Sequence, residues 1–157
     1  MIRARIVTLF AAVLLSACGG DGGTGPSKTY ESVAGNYGGS ISGVSQGVAL
    51  DLDIAFTIQQ NGTSFTGTYT SSGLITDGID VVQLAGNGTI SGTVAAGTNP
   101  SVSLTARDPA CPNVPDQFTG TLSSANRKLT LSGSLHLLDV DCSVLATFPT
   151  TLVLTLP

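Results

Sequence analysis

Four times in this chain the same five-residue unit recurs: apolar, hydroxyl, glycine, hydroxyl, apolar. The copies are Phe65-Thr66-Gly67-Thr68-Tyr69, Ile90-Ser91-Gly92-Thr93-Val94, Phe118-Thr119-Gly120-Thr121-Leu122 and Leu131-Ser132-Gly133-Ser134-Leu135. Ile41-Ser42-Gly43-Val44 is a partial fifth. Alternation with period two belongs to a strand with one apolar and one polar face. The glycine always falls on the apolar face. A missing side chain there lets the sheet bend, or lets a bulky neighbour fill the space. A sheet bent inward at several points tends to close.

The remaining segments follow the same period. From Val48 to Gln60, Val48, Leu50, Leu52, Ile54, Phe56 and Ile58 share one face, and Asp51, Asp53, Thr57 and Gln59 share the other. Asn61-Gly62 then gives a strong two-residue hairpin signal. It predicts Ile58 opposite Phe65, Phe56 opposite Gly67 and Ile54 opposite Tyr69. Further along, Leu122 is expected opposite Leu129, Gly120 opposite Leu131, and Phe118 opposite Gly133. The strands expected are 36–44, 48–60, 63–70, 88–95, 101–107, 116–122, 128–137 and 150–156, with no helix after the first 17 residues. This is an all-β chain: an eight-stranded antiparallel up-and-down barrel, with a β-sandwich as the alternative. A membrane-spanning barrel needs an apolar outside. Here the polar face is Thr, Ser and Asp, too many hydroxyls for so small an interior.

The chain opens with Arg3 and Arg5, then ten mostly apolar residues from Ile6 to Leu15. That run is too short for a bilayer core, which needs ~20 residues, but it suits a secretory segment. Leu15-Ser16-Ala17-Cys18 follows and resembles the lipobox of bacterial lipoproteins. The resemblance implies removal of residues 1–17 and acylation of Cys18. It also implies a lipid-anchored protein of the bacterial envelope. Gly20, which is not the aspartate that retains many such proteins, implies the outer membrane. Loss of residues 1–17 leaves four basic residues against all ten acids, a net −6. So acidic a chain has no electrostatic reason to lie on anionic lipid or to bind nucleic acid. Attachment then comes from acyl chains, at ~0.8 kcal/mol per buried CH₂. Residues 19–27 hold five glycines and no apolar side chain, so 18–32 reads as a flexible tether and 33–157 as the domain. With Cys18 acylated, Cys111 and Cys142 remain, and an oxidising compartment favours a disulfide between them.

Gly35-Asn36-Tyr37 at the start of the first strand, with the repeated Gly-Thr-Tyr and Gly-Thr-Val endings, resembles the small calycin-like barrels of the lipocalin and avidin group. The resemblance spans residues 33–157 and implies a barrel that holds a small ligand. Those families typically carry a Trp just after the opening glycine, and avidins hold biotin with further Trp residues. This chain has no Trp, so biotin is not implied.

In a meander, alternate connections gather at opposite ends. One end is expected to hold short turns. The other holds long loops at 71–87, 108–115 and 138–149, both late cysteines, and Asp77, Asp80, Asp108, Asp139 and Asp141. Long loops on a rigid scaffold usually carry function. Tyr37, Phe56, Phe65, Tyr69 and Phe118 point inward and would line a cavity, or simply fill the core. Asp108, Asp139 and Asp141 form the best candidate for a weak Ca²⁺ site, although Asp is common in loops for turn chemistry alone. His136 falls on the outward face by parity and reads as a solvated residue. A buried, oriented imidazole, which nucleophilic catalysis requires, is therefore not expected. Glycoside hydrolysis needs paired carboxylates, and the single Glu, Glu31, lies in the tether. No enzyme activity and no cofactor are expected. Two functions stand: binding of a small apolar ligand in the barrel, or contact with an envelope protein through the long-loop end. The second predicts a filled interior and an exposed apolar patch made by Leu74, Ile75, Ile79, Val81 and Val82.

Overall fold

The computed structural model describes residues 29–156. The lipobox and Cys18 lie outside the described residues. The strands are β1 (Gly35–Ser45), β2 (Val48–Asn61), β3 (Ser64–Thr76), β4 (Val81–Val94), β5 (Ser101–Arg107), β6 (Asp116–Ser123), β7 (Lys128–Leu138) and β8 (Val144–Thr155). They form a closed barrel in sequential order, every neighbouring pair antiparallel. The architecture is consistent with a calycin-like barrel. The barrel is a single layer closed on itself, and the sandwich alternative is excluded. Period-two burial runs through β2, where Leu50, Leu52, Ile54, Phe56 and Ile58 are buried and the residues between them are exposed.

At all four glycines of the full repeat a Cβ would collide with a carbonyl oxygen of the neighbouring strand. A Cβ at Gly67 or Gly120 would fall on the backbone of the adjacent strand, at Thr57 and Thr130 respectively. Phe65 pairs with Gly92, Tyr69 with Gly88, and Phe118 with Gly133. In each pair the ring occupies the space a side chain on the glycine would need. The expected register of β6 on β7 is observed: Leu122 opposite Leu129, Gly120 opposite Leu131, Phe118 opposite Gly133.

Three expectations need correction. The β2–β3 turn is Gly62-Thr63, not Asn61-Gly62. Asn61 pairs with Ser64, so Ile58 meets Gly67 and Phe56 meets Tyr69. A slip of two residues keeps every side chain on its face, so the apolar pattern could not oppose it. The Gln60 side chain donates to the Gly62 carbonyl at 2.8 Å, bracing the turn one residue later. Second, most of 71–87 is strand. The β3–β4 hairpin narrows to Asp77-Gly78-Ile79-Asp80, where Asp77 Oδ1 accepts from the backbone N–H groups of Ile79 and Asp80. Third, β8 begins at Val144, so the expected 138–149 loop is a tight turn closed by Asp139 N–H to the Ser143 carbonyl at 2.9 Å.

At the short-turn end the barrel is filled. Tyr37, Phe65, Val94, Leu122, Leu129 and Leu154 are all buried there. The chain before β1 helps to close this end. Val33 is fully buried, its N–H donates to Gln60 Oε1 at 2.6 Å, and Gln60 Nε2 donates to the Glu31 carbonyl.

Candidate functional site

The wall of the barrel is uneven in height. β3 and β4 have 13 and 14 residues, β5 and β6 only seven and eight. β5 meets β4 only from the Thr89–Arg107 pair downward, so residues 81–88 rise above it without a ladder partner on that side. The 108–115 loop covers the gap. The Cys111–Cys142 disulfide, with a Cα separation of 5.5 Å, ties that loop to the β7–β8 turn. Inward positions at this height include the small residues Ser71, Gly86 and Ala106, and they leave room. A cavity of about 250 Å³ results at the loop end. Its walls are apolar, formed by Leu50, Leu52, Ile54, Phe56, Leu84, Phe118, Leu135 and Phe148 among others. The volume falls just below the ~300–1,000 Å³ usual for drug-sized ligands.

Of the five aromatic residues expected to line a cavity, Phe56, Tyr69 and Phe118 do so. Phe56 and Tyr69 meet edge to face, with centroids 6.4 Å apart. Phe65 belongs to the filled end, with its ring over Gly92. Tyr37 lies at that end too, beside a smaller recess of about 190 Å³ with Ser124 and Arg127. These two are displaced from the cavity because they lie at the opposite end of the barrel, where buried side chains pack the interior around them.

The polar residues of the cavity are Tyr69, Ser71, Asp108, Asp116 and His136. His136 is not the solvated residue its parity implies; its side chain is 25% exposed. Alternating burial fails over 134–138, because the β6–β7 ladder ends at Gln117–Ser134 and β7 is irregular at Leu137/Leu138. Asp116 takes over where the ladder stops. Its Oδ1 accepts both the His136 backbone N–H at 2.9 Å and the ring Nδ1–H at 2.8 Å. Asp116 was legible as an inward carboxylate, since it shares parity with the inward Phe118. That signal was missed in favour of the loop aspartates.

Burial raises the Asp116 carboxyl above the ordinary carboxylate range, the His136 hydrogen bonds oppose this, and the charge of Asp108 adds to it. Burial, then Asp108 and Asp116, push the Tyr69 phenol up to about 12, so it stays protonated. A carboxyl raised by folding stabilises the fold fully below its ordinary range, and this stabilisation is lost as pH rises through the higher folded value. Asp116→Asn keeps an acceptor for His136 without the charge. It should therefore be more stable than wild type at pH 7, the difference vanishing below about pH 4. Urea unfolding at both pH values measures this; equal midpoints at pH 7 would show that the buried charge costs nothing.

The arrangement contains two members of a nucleophile–base–acid set. Among the described residues no hydroxyl or thiol is hydrogen-bonded to His136 Nε2. Each aspartate considered for Ca²⁺ uses one carboxylate oxygen within its own turn: Asp108 Oδ1 accepts from Ala110 N–H, Asp139 Oδ1 from Val140 N–H and Asp141 Oδ1 from Ser143 N–H. The last bond helps to hold the Asp141 carboxyl below its usual range. Among the described residues no group of three or more His, Cys, Asp or Glu is gathered as a metal site. Of the three, only Asp108 reaches the cavity.

The expected apolar patch is present in part. Leu74, Ile79, Val81 and Val82 are exposed, Ile79 at 92%, whereas Ile75 packs against the core. Val44, Val140, Val144 and Leu145 are exposed at the same end. The cavity lies at the end of the barrel that carries these exposed apolar side chains. Comparison with protein-family models, with curated proteins and with solved structures found no match.

Proposed function

We propose that this is a non-enzymatic protein of the bacterial envelope, held by acyl chains on Cys18, whose barrel binds a small molecule with a substantial apolar part. The supporting observation is the apolar cavity at one end of the barrel, above a core of buried side chains. The chain enters β1 at the filled end, so anchoring through the residues before it would leave the cavity facing away from the membrane.

Native mass spectrometry of the full-length protein tests the reading. A co-purifying adduct of a few hundred daltons is expected. Gly86→Leu sharpens the test. Gly86 lines the cavity, and a Cβ there meets only Ser71 Oγ within 4 Å, at 2.9 Å, a group free to rotate. The variant should fold normally, fill the cavity and lose the adduct. An identical adduct on the variant would place the ligand elsewhere, and a clean apo mass for wild type would count against the carrier.

The exposed apolar side chains favour a second reading, an interaction module. Eight of the nine large exposed hydrophobics among the described residues lie at the cavity end; only Val153 does not. That reading called for a filled interior, so the cavity weighs against it as the sole function. Exposed apolar side chains at the cavity end also suit transfer of an apolar cargo to another apolar surface.

A further inference from the structure

We infer that the molecule this cavity takes is a small hydrophobic amine, seated with its apolar part on the barrel wall and its ammonium at the mouth beside Asp108 and Asp116. The assignment rests on the binding reading above and adds the charge of the ligand's head. An apolar wall holds a hydrocarbon but does not orient it; a few placed polar groups do that. Here those groups are acidic. Asp116 uses Oδ1 for both His136 bonds, and Asp108 uses Oδ1 for Ala110. Oδ2 of each has no hydrogen-bond partner among the described residues. Two carboxylate oxygens are therefore left to accept at the cavity. Tyr69 offers a third acceptor, its neutral phenol oxygen. An ammonium brings three donors and a positive charge.

The wider field has the same sign. Asp77, Asp80, Asp139 and Asp141 sit in the turns at this end. Its basic groups among the described residues are His136, held by Asp116, and Arg107, turned on the exposed surface to the Pro112 carbonyl. Arg127 and Lys128 lie at the opposite end. Such a field draws in cations and repels carboxylates, fatty acids included. At ~30 Å³ per heavy atom, 250 Å³ accommodates roughly eight.

The test compares 1-octylamine, 1-octanol and octanoate by titration calorimetry on the full-length protein at pH 7.5. The three share a chain and differ in the head. Octylamine should bind at least tenfold more tightly than octanol, with octanoate weakest. Asp108→Asn combined with Asp116→Asn should bring octylamine to within about threefold of octanol. Gly86→Leu should abolish binding of all three. Octanol or octanoate matching octylamine overturns the amine assignment and leaves the cavity reading standing. No binding by any of the three overturns both. Octylamine binding that survives Gly86→Leu is surface attraction to an acidic protein and overturns the assignment.

Discussion

Reduction of the Cys111–Cys142 bond, or its removal as Cys111→Ala with Cys142→Ala, should lower stability by roughly 3–4 kcal/mol. The bond closes a loop across 31 positions, and the chain-entropy model assigns that value to the freedom the unfolded chain regains. For a domain of this size the melting midpoint should fall on the order of 10 °C. The bond has a local consequence as well. The 108–115 loop stands where β5 and β6 end early, and it supplies Val114 and Asp108 to the cavity. Cys111 is its buried anchor at 5% exposure. Without the bond that loop is held by contacts such as Arg107 Nη1 to the Pro112 carbonyl. On the binding proposed above, octylamine affinity should therefore fall as well. Urea unfolding with and without reductant measures the first effect and calorimetry the second. An unchanged unfolding midpoint after verified reduction would show that the bond constrains nothing the fold does not already fix.

The barrel was legible because one face of each strand is apolar and because glycine recurs on that face. β6 and β7 could be aligned to the residue, since placing Phe118 on Gly133 and Gly120 on Leu131 satisfies both at once. At β2–β3 the same logic left two registers that bury identical residues. The choice falls to the turn, where Gln60 acts through a side-chain bond that no periodicity reports. Ser71-Ser72-Gly73 and Gly86-Asn87-Gly88 look like loop composition, yet they lie in paired strand, Gly73 opposite Leu84 and Ser71 opposite Gly86. Pro149 marked a break and instead lies within β8, whose flank toward β1 carries a single ladder pair, Gly38–Thr155. Proline is tolerated on such an edge-like flank.

The site was less legible than the fold. Whether inward side chains fill a barrel depends on wall height, and wall height depends on where β5 and β6 stop. The Asp116–His136 pair forms where the ladder between their strands runs out, so strand parity misplaces His136 while correctly turning Asp116 inward. A pair of this kind is visible only once the ends of two strands, 20 positions apart in sequence, are known to meet.

Gly120→Ala should be among the most damaging single-methyl changes in the domain, and Gly43→Ala among the most benign. Both positions face inward on strands of the same barrel. A Cβ at Gly120 meets only backbone: the Thr130 carbonyl, with the Leu131 Cα at 2.9 Å. No rotamer change relieves that contact, so β6 and β7 must separate and give up ladder bonds on either side. Overpacking of this kind costs roughly 1–3 kcal/mol, occasionally more, and the absence of a movable neighbour puts Gly120→Ala at about 3 kcal/mol. At Gly43 the only atom within 4 Å is Phe148 Cδ1, at 3.8 Å, an ordinary contact. Alanine there restricts the unfolded chain without crowding the fold and should stabilise by roughly 0.4–1 kcal/mol. Paired urea titrations of the two variants isolate the close strand approach from any general effect of glycine on strand propensity. If Gly120→Ala were as harmless as Gly43→Ala, the strands would not need to approach so closely, and the closure of the cylinder would have to be credited to its aromatic and aliphatic core alone.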